Sequence, residues 1–189
     1  MYTPFPRLTK AKTLSVMPTY KCTAECLHCG TCSSPRQETF LDTELMLRSI
    51  DQAIDSGYKV VVFTGGEATL AEDALLKGIR RANDRGVCTR LVTNGWWASD
   101  EESADAMIAK LIAAGLKEIN FSTGDQHARF VPIENVLRAS YAAGKIPMMT
   151  NIIMVELVTA AALSGCGVAQ YFPHRPGVSI EGIEPSPRK

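Results

Sequence analysis

A parallel β-sheet with its helices outside, built from five or six βα units and curving toward a barrel, is implied by two features of this chain. The first is a period. Gly57, Gly86, Gly115 and Gly144 stand 29 residues apart, each after a helix-like segment and before a strand-like one. Glycine just past a helix end is a common left-handed stop. The second is the unit length, close to the roughly 30 residues of a strand–helix–strand module; its constancy favours a closed or curving barrel.

The elements follow in order. A strand over residues 12–17 opens the series, and a helix over 42–56 buries Leu47, Ile50 and Ile54 at helical spacing. Strands are then expected over 58–64, 87–93, 116–122 and 145–151, with helices over 69–85, 99–114 and 132–143 between them. Leu75 with Ile79, and Ile108 with Leu111 and Ile112, give two of these helices apolar stripes. Ser99 and Glu102 form a capping box, and Pro132 suits a first helical position. A sixth strand falls at 167–172 or 178–183. Beyond Val155 the alternation fails, and Pro173, Pro176, Pro185 and Pro187 make the last stretch loop-like. The chain thus divides into an N-terminal extension (1–11), a barrel region (12–155) and an irregular tail or incomplete sixth unit (156–189). A barrel one strand short has an exposed edge, and three explanations stay open: a minimal protein, a truncated one, or a half completed by a partner.

Composition sets limits without naming an activity. Twenty basic and twenty acidic residues cancel, so no global charge points to nucleic acid or an anionic membrane. No apolar run approaches the roughly 20 residues of a membrane span. The first twelve residues lack the apolar core of a secretory signal, and six cysteines in 189 residues are too sparse for a disulfide scaffold. A reduced, cytoplasmic protein is expected.

Chemistry concentrates after the first strand. Cys22, Cys26 and Cys29 have C-x3-C-x2-C spacing, which suits three irons of a four-iron, four-sulfur cluster and leaves one iron open. Electron-transfer clusters usually take four cysteines, so an open iron points to chemistry at the metal. Zinc is the alternative, because Cys22, Cys26, His28, Cys29 and Cys32 offer four ligands in several combinations. Burial without a metal fits less well, given Lys21, Glu25 and His28 within and beside the motif.

The period also locates a site. Positions 64, 93, 122 and 151 are equivalent by the repeat and hold Thr, Thr, Ser and Asn. Polar residues at the C-terminal ends of apolar parallel strands lie where such folds bind ligands, although the same residue types also cap turns. After the second strand, Gly65 and Gly66 would let backbone approach a ligand, and Glu67 offers a carboxylate to an ammonium group. Asp125 and His127 fall in the loop above the same end, where they are candidates for proton handling. Trp96 and Trp97 would wall the pocket or pack on the following helix.

Cys22-x3-Cys26-x2-Cys29, Gly65-Gly66-Glu67, Thr93-Asn94-Gly95 and Ser122 in its Asn-Phe-Ser-Thr-Gly run together resemble the radical S-adenosylmethionine (SAM) superfamily over roughly residues 12–155. The resemblance implies a partial TIM-like (βα)6 barrel. It also implies a [4Fe-4S] cluster on Cys22, Cys26 and Cys29, with SAM bound at the open iron and cleaved reductively to a 5′-deoxyadenosyl radical. By the same carry-over, Gly65, Gly66 and Glu67 would hold the methionine amino group. Ser122 and Asn151 would meet ribose or carboxylate, Thr93 or Asn94 would line the pocket, and Arg129 would pair with the SAM carboxylate. Departures are Ala68 where proline is usual and His28 where an aromatic residue often stands; Cys32 is read as a bystander. Cys166 stands alone in the tail, without the cysteine cluster that binds auxiliary centres in many peptide-modifying members. The expected partners are a small-molecule or peptide substrate and an electron donor such as flavodoxin or ferredoxin. The alternative is a non-catalytic iron–sulfur or zinc protein, or an inactive truncated relative.

Overall fold

The computed structural model describes residues 12–27, 29–156 and 179–182. Strand and helix alternate through β1 (Thr13–Val16), α1 (Thr43–Asp55), β2 (Val60–Phe63), α2 (Glu72–Asp84), β3 (Cys88–Thr93), α3 (Glu101–Ala114), β4 (Glu118–Gly124), α4 (Ile133–Gly144), β5 (Thr150–Glu156) and β6 (Ser179–Gly182). The six strands lie in chain order, and every neighbouring pair is parallel. The sheet is therefore not a strand short: β6 falls within 178–183 and pairs with residues 152–155 of β5. The other candidate, 167–172, lies outside the described residues, as do 1–11, His28 and Cys166.

Alternate side chains of each strand face opposite sides of a sheet, and the sequence puts its large apolar residues on one side. Val61, Phe63, Leu91, Ile119, Phe121 and Ile153 form a buried cluster with Ile50, Leu75, Ile79, Leu111 and Val136 from the helices. Each such side chain contributes about 1.5–3 kcal/mol by leaving water. Gly78 lets α2 close onto the sheet, since a Cβ there would stand 2.8 Å from the Phe63 ring. The other face is more polar. There Arg90 on β3 meets Glu118 on β4, with Nε 2.5 Å from Oε1 and Nη2 donating to Oε2 at 3.0 Å.

Helix ends follow local chemistry. Asp42 caps α1 by accepting from the Leu45 amide at 2.8 Å, worth about 1 kcal/mol. The cap of α3 is Asp100, accepting from Ser103 N at 2.8 Å, rather than the expected Ser99–Glu102 box; Ser99 instead donates to Asp100. The segment expected as one helix over 69–85 starts as a 3-10 turn (Ala68–Ala71) before α2.

The period holds for three units and breaks at the fourth. Gly57, Gly86 and Gly115 all take positive φ (86°, 73° and 100°), but Gly144 does not and is the last residue of α4. The chain then turns through Lys145–Ala142, Ile146–Ala143 and Met149–Ile146 hydrogen bonds around Pro147. The fifth strand accordingly begins at Thr150, not near residue 145. Registers record the slip: Val60 pairs with Cys88 and Arg90 with Glu118, offsets of 28 residues, while Glu118 pairs with Thr150, an offset of 32.

Candidate active site at the strand ends

The loop leaving β1 carries the cysteines and closes on itself. Tyr20 N donates to Thr39 O at 3.1 Å, Leu41 N to Pro18 O at 2.9 Å and Cys22 N to Ser34 O at 3.1 Å. Within it, Cys29 N reaches Cys26 O and Cys32 N reaches Cys29 O, so the chain coils and returns the thiols to one side. No disulfide joins any described cysteine.

Donors already face two of the sulfurs. The Ala24 amide lies 3.4 Å from Cys22 Sγ, and Asn94 Nδ2 lies 3.8 Å from the same atom. Cys29 Sγ accepts from the Ser33 amide at 3.4 Å and sits 3.3 Å from Thr31 Oγ1, which in turn meets Ser33 Oγ at 2.7 Å. The two thiols respond differently. Burial pushes Cys22 up, helped by the nearby Glu67 and Cys29 charges and only partly offset by the Ala24 and Thr23 amides. Burial also raises Cys29, but the Thr31 and Ser33 hydrogen bonds outweigh it and leave that thiol below its ordinary value.

The turn after β2 presses against this loop. Gly66 N donates to Thr19 O at 2.9 Å and Glu67 N to Lys21 O at 2.8 Å. A Cβ on Gly66 would stand 2.2 Å from Lys21 O, and one on Gly65 would stand 2.8 Å from Thr19 O. These glycines therefore admit the cysteine loop's own backbone. With both amides bonded, the turn has carbonyl oxygens left to offer a ligand.

Glu67 departs from expectation. Its side chain is 1% exposed and points into the protein rather than into the cleft. Oε1 accepts from Thr69 N at 3.2 Å, Thr69 Oγ1 at 2.7 Å and Thr93 Oγ1 at 2.8 Å, and Oε2 accepts from Asn94 N at 2.8 Å. Burial raises the carboxyl, against the pull of the Asn94, Thr69 and Thr93 donors. Four internal donors occupy the group that the sequence assigns to an ammonium ion.

Thr93 is likewise a brace. Its hydroxyl accepts from Gly95 N and from Trp97 Nε1, both at 3.2 Å, while donating to Glu67. Trp97 is buried and tilts on Phe121 with centroids 6.2 Å apart. Trp96 is more exposed and donates its ring N–H to Thr69 Oγ1 at 2.9 Å. Trp97 thus packs in the core, Trp96 stays exposed, and neither lines the cleft.

One cleft of about 160 Å³ gathers what remains. Cys22, Cys26 and Cys29 form one side, Thr64, Gly65 and Gly66 from the β2 turn adjoin them, and Thr93, Asn94, Ser122 and His127 complete the wall. Besides Glu67, three expected members are elsewhere. Asn151, made the second residue of β5 by the register slip, pairs with Ile119 and donates to Ser140 O and Oγ at 2.8 Å, under α4. Arg129 is exposed on a 3-10 turn (His127–Arg129), and Asp125 does not line the cleft. Conversely, Ser33 lines it without having been singled out; only its place four residues past Cys29 hinted at this. Among the described residues, no group of three or more His, Cys, Asp or Glu side chains is arranged around a single metal ion, and no helix is long and apolar enough to cross a membrane.

The chain is similar to known proteins in sequence and in fold. The chain is 32% identical over 130 residues to PqqA peptide cyclase of Granulibacter bethesdensis, covering 67% of this chain and 31% of that protein. It is 32% identical over 160 residues to GTP 3',8-cyclase of Aliarcobacter butzleri, covering 78% and 47%. The chain thus spans between about a third and about half of these curated relatives. A solved structure of native anSMEcpe with bound AdoMet shares the fold, with a TM-score of 0.63 at 18% identity over 90% of this chain and 52% of that one. The model of the Radical SAM superfamily matches residues 16–155, from the last residue of β1 through the cysteine loop and into β5, and the chain belongs to that superfamily.

Proposed function

We propose that this chain is the cofactor-binding barrel of a radical SAM enzyme, with a [4Fe-4S] cluster on Cys22, Cys26 and Cys29 and S-adenosylmethionine lying from the β2 turn toward Ser122. The observation that carries this reading is the single cleft into which three thiols of one loop and the ends of β2, β3 and β4 all face. The donor set fits such a group. The thiols are free of disulfides, and amides aimed at Cys22 and Cys29 suit thiolate sulfur. A cluster takes one thiolate per iron and needs the sulfurs apart, whereas zinc draws its ligands to one point about 2.3 Å from each sulfur.

Reduced and bound there, the cluster would supply the electron that splits SAM into methionine and a 5′-deoxyadenosyl radical, which takes a hydrogen atom from substrate. The chain's own residues do the rest. Carbonyl oxygens at 64–66 accept from the methionine ammonium, the Ser122 hydroxyl meets the nucleoside end, and His127 stands at the cleft where a substrate proton would be handled. The electron comes from a low-potential donor such as flavodoxin or ferredoxin.

A peptide substrate is favoured by the likeness to PqqA peptide cyclase. A small-molecule substrate is the second reading, favoured by the likeness to GTP 3',8-cyclase over more of the chain.

The test is anaerobic reconstitution with iron and sulfide, then dithionite and SAM, with 5′-deoxyadenosine read by mass spectrometry. A Cys22/Cys26/Cys29 triple-alanine variant is the control. Cysteine-dependent 5′-deoxyadenosine is expected. A folded protein that takes up no iron, or equal product from the control, would sink the reading.

A further inference from the structure

Building on that cluster assignment, we propose that Asn94 is a positioning residue for the cluster, its side-chain amide donating a hydrogen bond to Cys22 sulfur and thereby raising the reduction potential. Asn94 follows the last residue of β3 and is 72 positions from Cys22 in the chain, yet Nδ2 lies 3.8 Å from Cys22 Sγ and 3.0 Å from Thr23 Oγ1. One amide hydrogen is available for each acceptor. The other end of the amide fixes its orientation: Oδ1 accepts from Trp96 N at 3.1 Å, so the NH2 end must face the cysteine loop. The backbone N–H of Asn94 is held by Glu67 Oε2 at 2.8 Å. The residue is 5% exposed, and both ends of its side-chain amide and its backbone N–H are hydrogen-bonded within the protein.

The physical consequence concerns charge. Reducing a cluster adds negative charge that spreads onto its thiolates, and a donor at sulfur stabilises the reduced form more than the oxidised one. Hydrogen bonds to sulfur are among the factors that set cluster potentials. Cys22 has as such donors the Ala24 and Thr23 amides of its own loop and the side-chain amide of Asn94, just past β3. Only the last can be removed by changing a side chain.

The experiment compares the reconstituted protein with Asn94→Leu, Asn94→Asp and Thr23→Val, without SAM. Iron is counted, and the potential is read by an EPR-monitored redox titration. Asn94→Asp keeps the acceptor for Trp96 N–H and nearly the same shape, so it covers the case in which leucine disturbs the turn. Both Asn94 variants should load iron like the parent and move to more negative potential, aspartate further than leucine. A tenfold fall in the reduced-to-oxidised ratio at fixed poise corresponds to about 59 mV for a one-electron couple. Thr23→Val removes the competing acceptor and keeps the donor, so its potential should not fall. Unchanged potential in fully loaded Asn94→Leu and Asn94→Asp overturns the proposal alone. A folded parent protein that binds no iron overturns the cluster assignment, and this proposal with it.

Discussion

The carboxylate of Glu67 accepts a hydrogen bond from the Thr93 hydroxyl 2.8 Å away, which ties the turn after β2 to the end of β3. Three further donors from Thr69 and Asn94 complete the ring around that carboxylate. Glu67→Ala removes the acceptor and leaves buried donors unmade, each costing about 1–3 kcal/mol. The metal-free protein should lose about 3 kcal/mol or more in a urea titration with no SAM present. Glu67→Gln should lose less, since one oxygen remains. An unchanged midpoint for Glu67→Ala would mean that the internal ring contributes nothing and would return Glu67 to the role of an ammonium contact.

The two thiols should separate by pH. Cys29 lies below its ordinary value and Cys22 above its own, for the reasons of hydrogen bonding and burial given above. The thiolate is the form that alkylates, so raising pH in metal-free protein should label Cys29 before Cys22. Peptide mapping after brief iodoacetamide treatment across a pH series reads the order directly. Identical profiles at the two positions would mean that the Thr31 and Ser33 bonds do not act on Cys29.

Glycines that look alike in sequence should behave in opposite ways. Gly66 has an ordinary φ, but a Cβ there meets the Lys21 and Tyr20 carbonyl oxygens at 2.2 and 2.7 Å, and backbone cannot step aside as a side chain can. Gly66→Ala should cost about 1–3 kcal/mol or more and impair iron loading, because the cysteine loop is the part displaced. Gly144 is helical, and a Cβ there meets nothing within 4 Å. Gly144→Ala should stabilise the protein by about 0.5–1 kcal/mol through the helix and the unfolded chain. Thermal melts of both variants decide it; destabilisation by Gly144→Ala would contradict its place inside α4.

Those glycines also show what a sequence can and cannot disclose. The cysteine loop was legible because C-x3-C-x2-C spacing is local, and the alternation was legible because Gly57, Gly86 and Gly115 end helices by a mechanism that needs no tertiary information. Gly144 obeyed the spacing without the conformation, so the repeat placed Asn151 at a strand end it does not occupy. The orientation of Glu67 was not legible at all. It depends on Thr93 and Asn94, 26 and 27 residues away, which only the parallel sheet brings alongside. A still longer separation, 72 residues, hid the meeting of Asn94 with Cys22.

Ser122 and Asn151, equivalent by the repeat, should therefore come apart in experiment. Ser122 is half-buried and lines the cleft, so Ser122→Ala should leave the unfolding midpoint within about 0.5 kcal/mol of the parent. If its hydroxyl meets the nucleoside end of SAM, the reconstituted variant should bind SAM about tenfold more weakly, the cost of one hydrogen bond of about 1.4 kcal/mol. Asn151 is buried and its amide holds Ser140 O and Oγ at 2.8 Å, fastening β5 to α4. Asn151→Ala should lose about 1–3 kcal/mol of stability while leaving SAM affinity untouched in whatever fraction stays folded. Calorimetric titration with SAM beside urea unfolding gives both quantities for both variants. If Asn151→Ala weakened SAM binding at unchanged stability, the 29-residue repeat, and not the observed register, would be the better guide to the ligand.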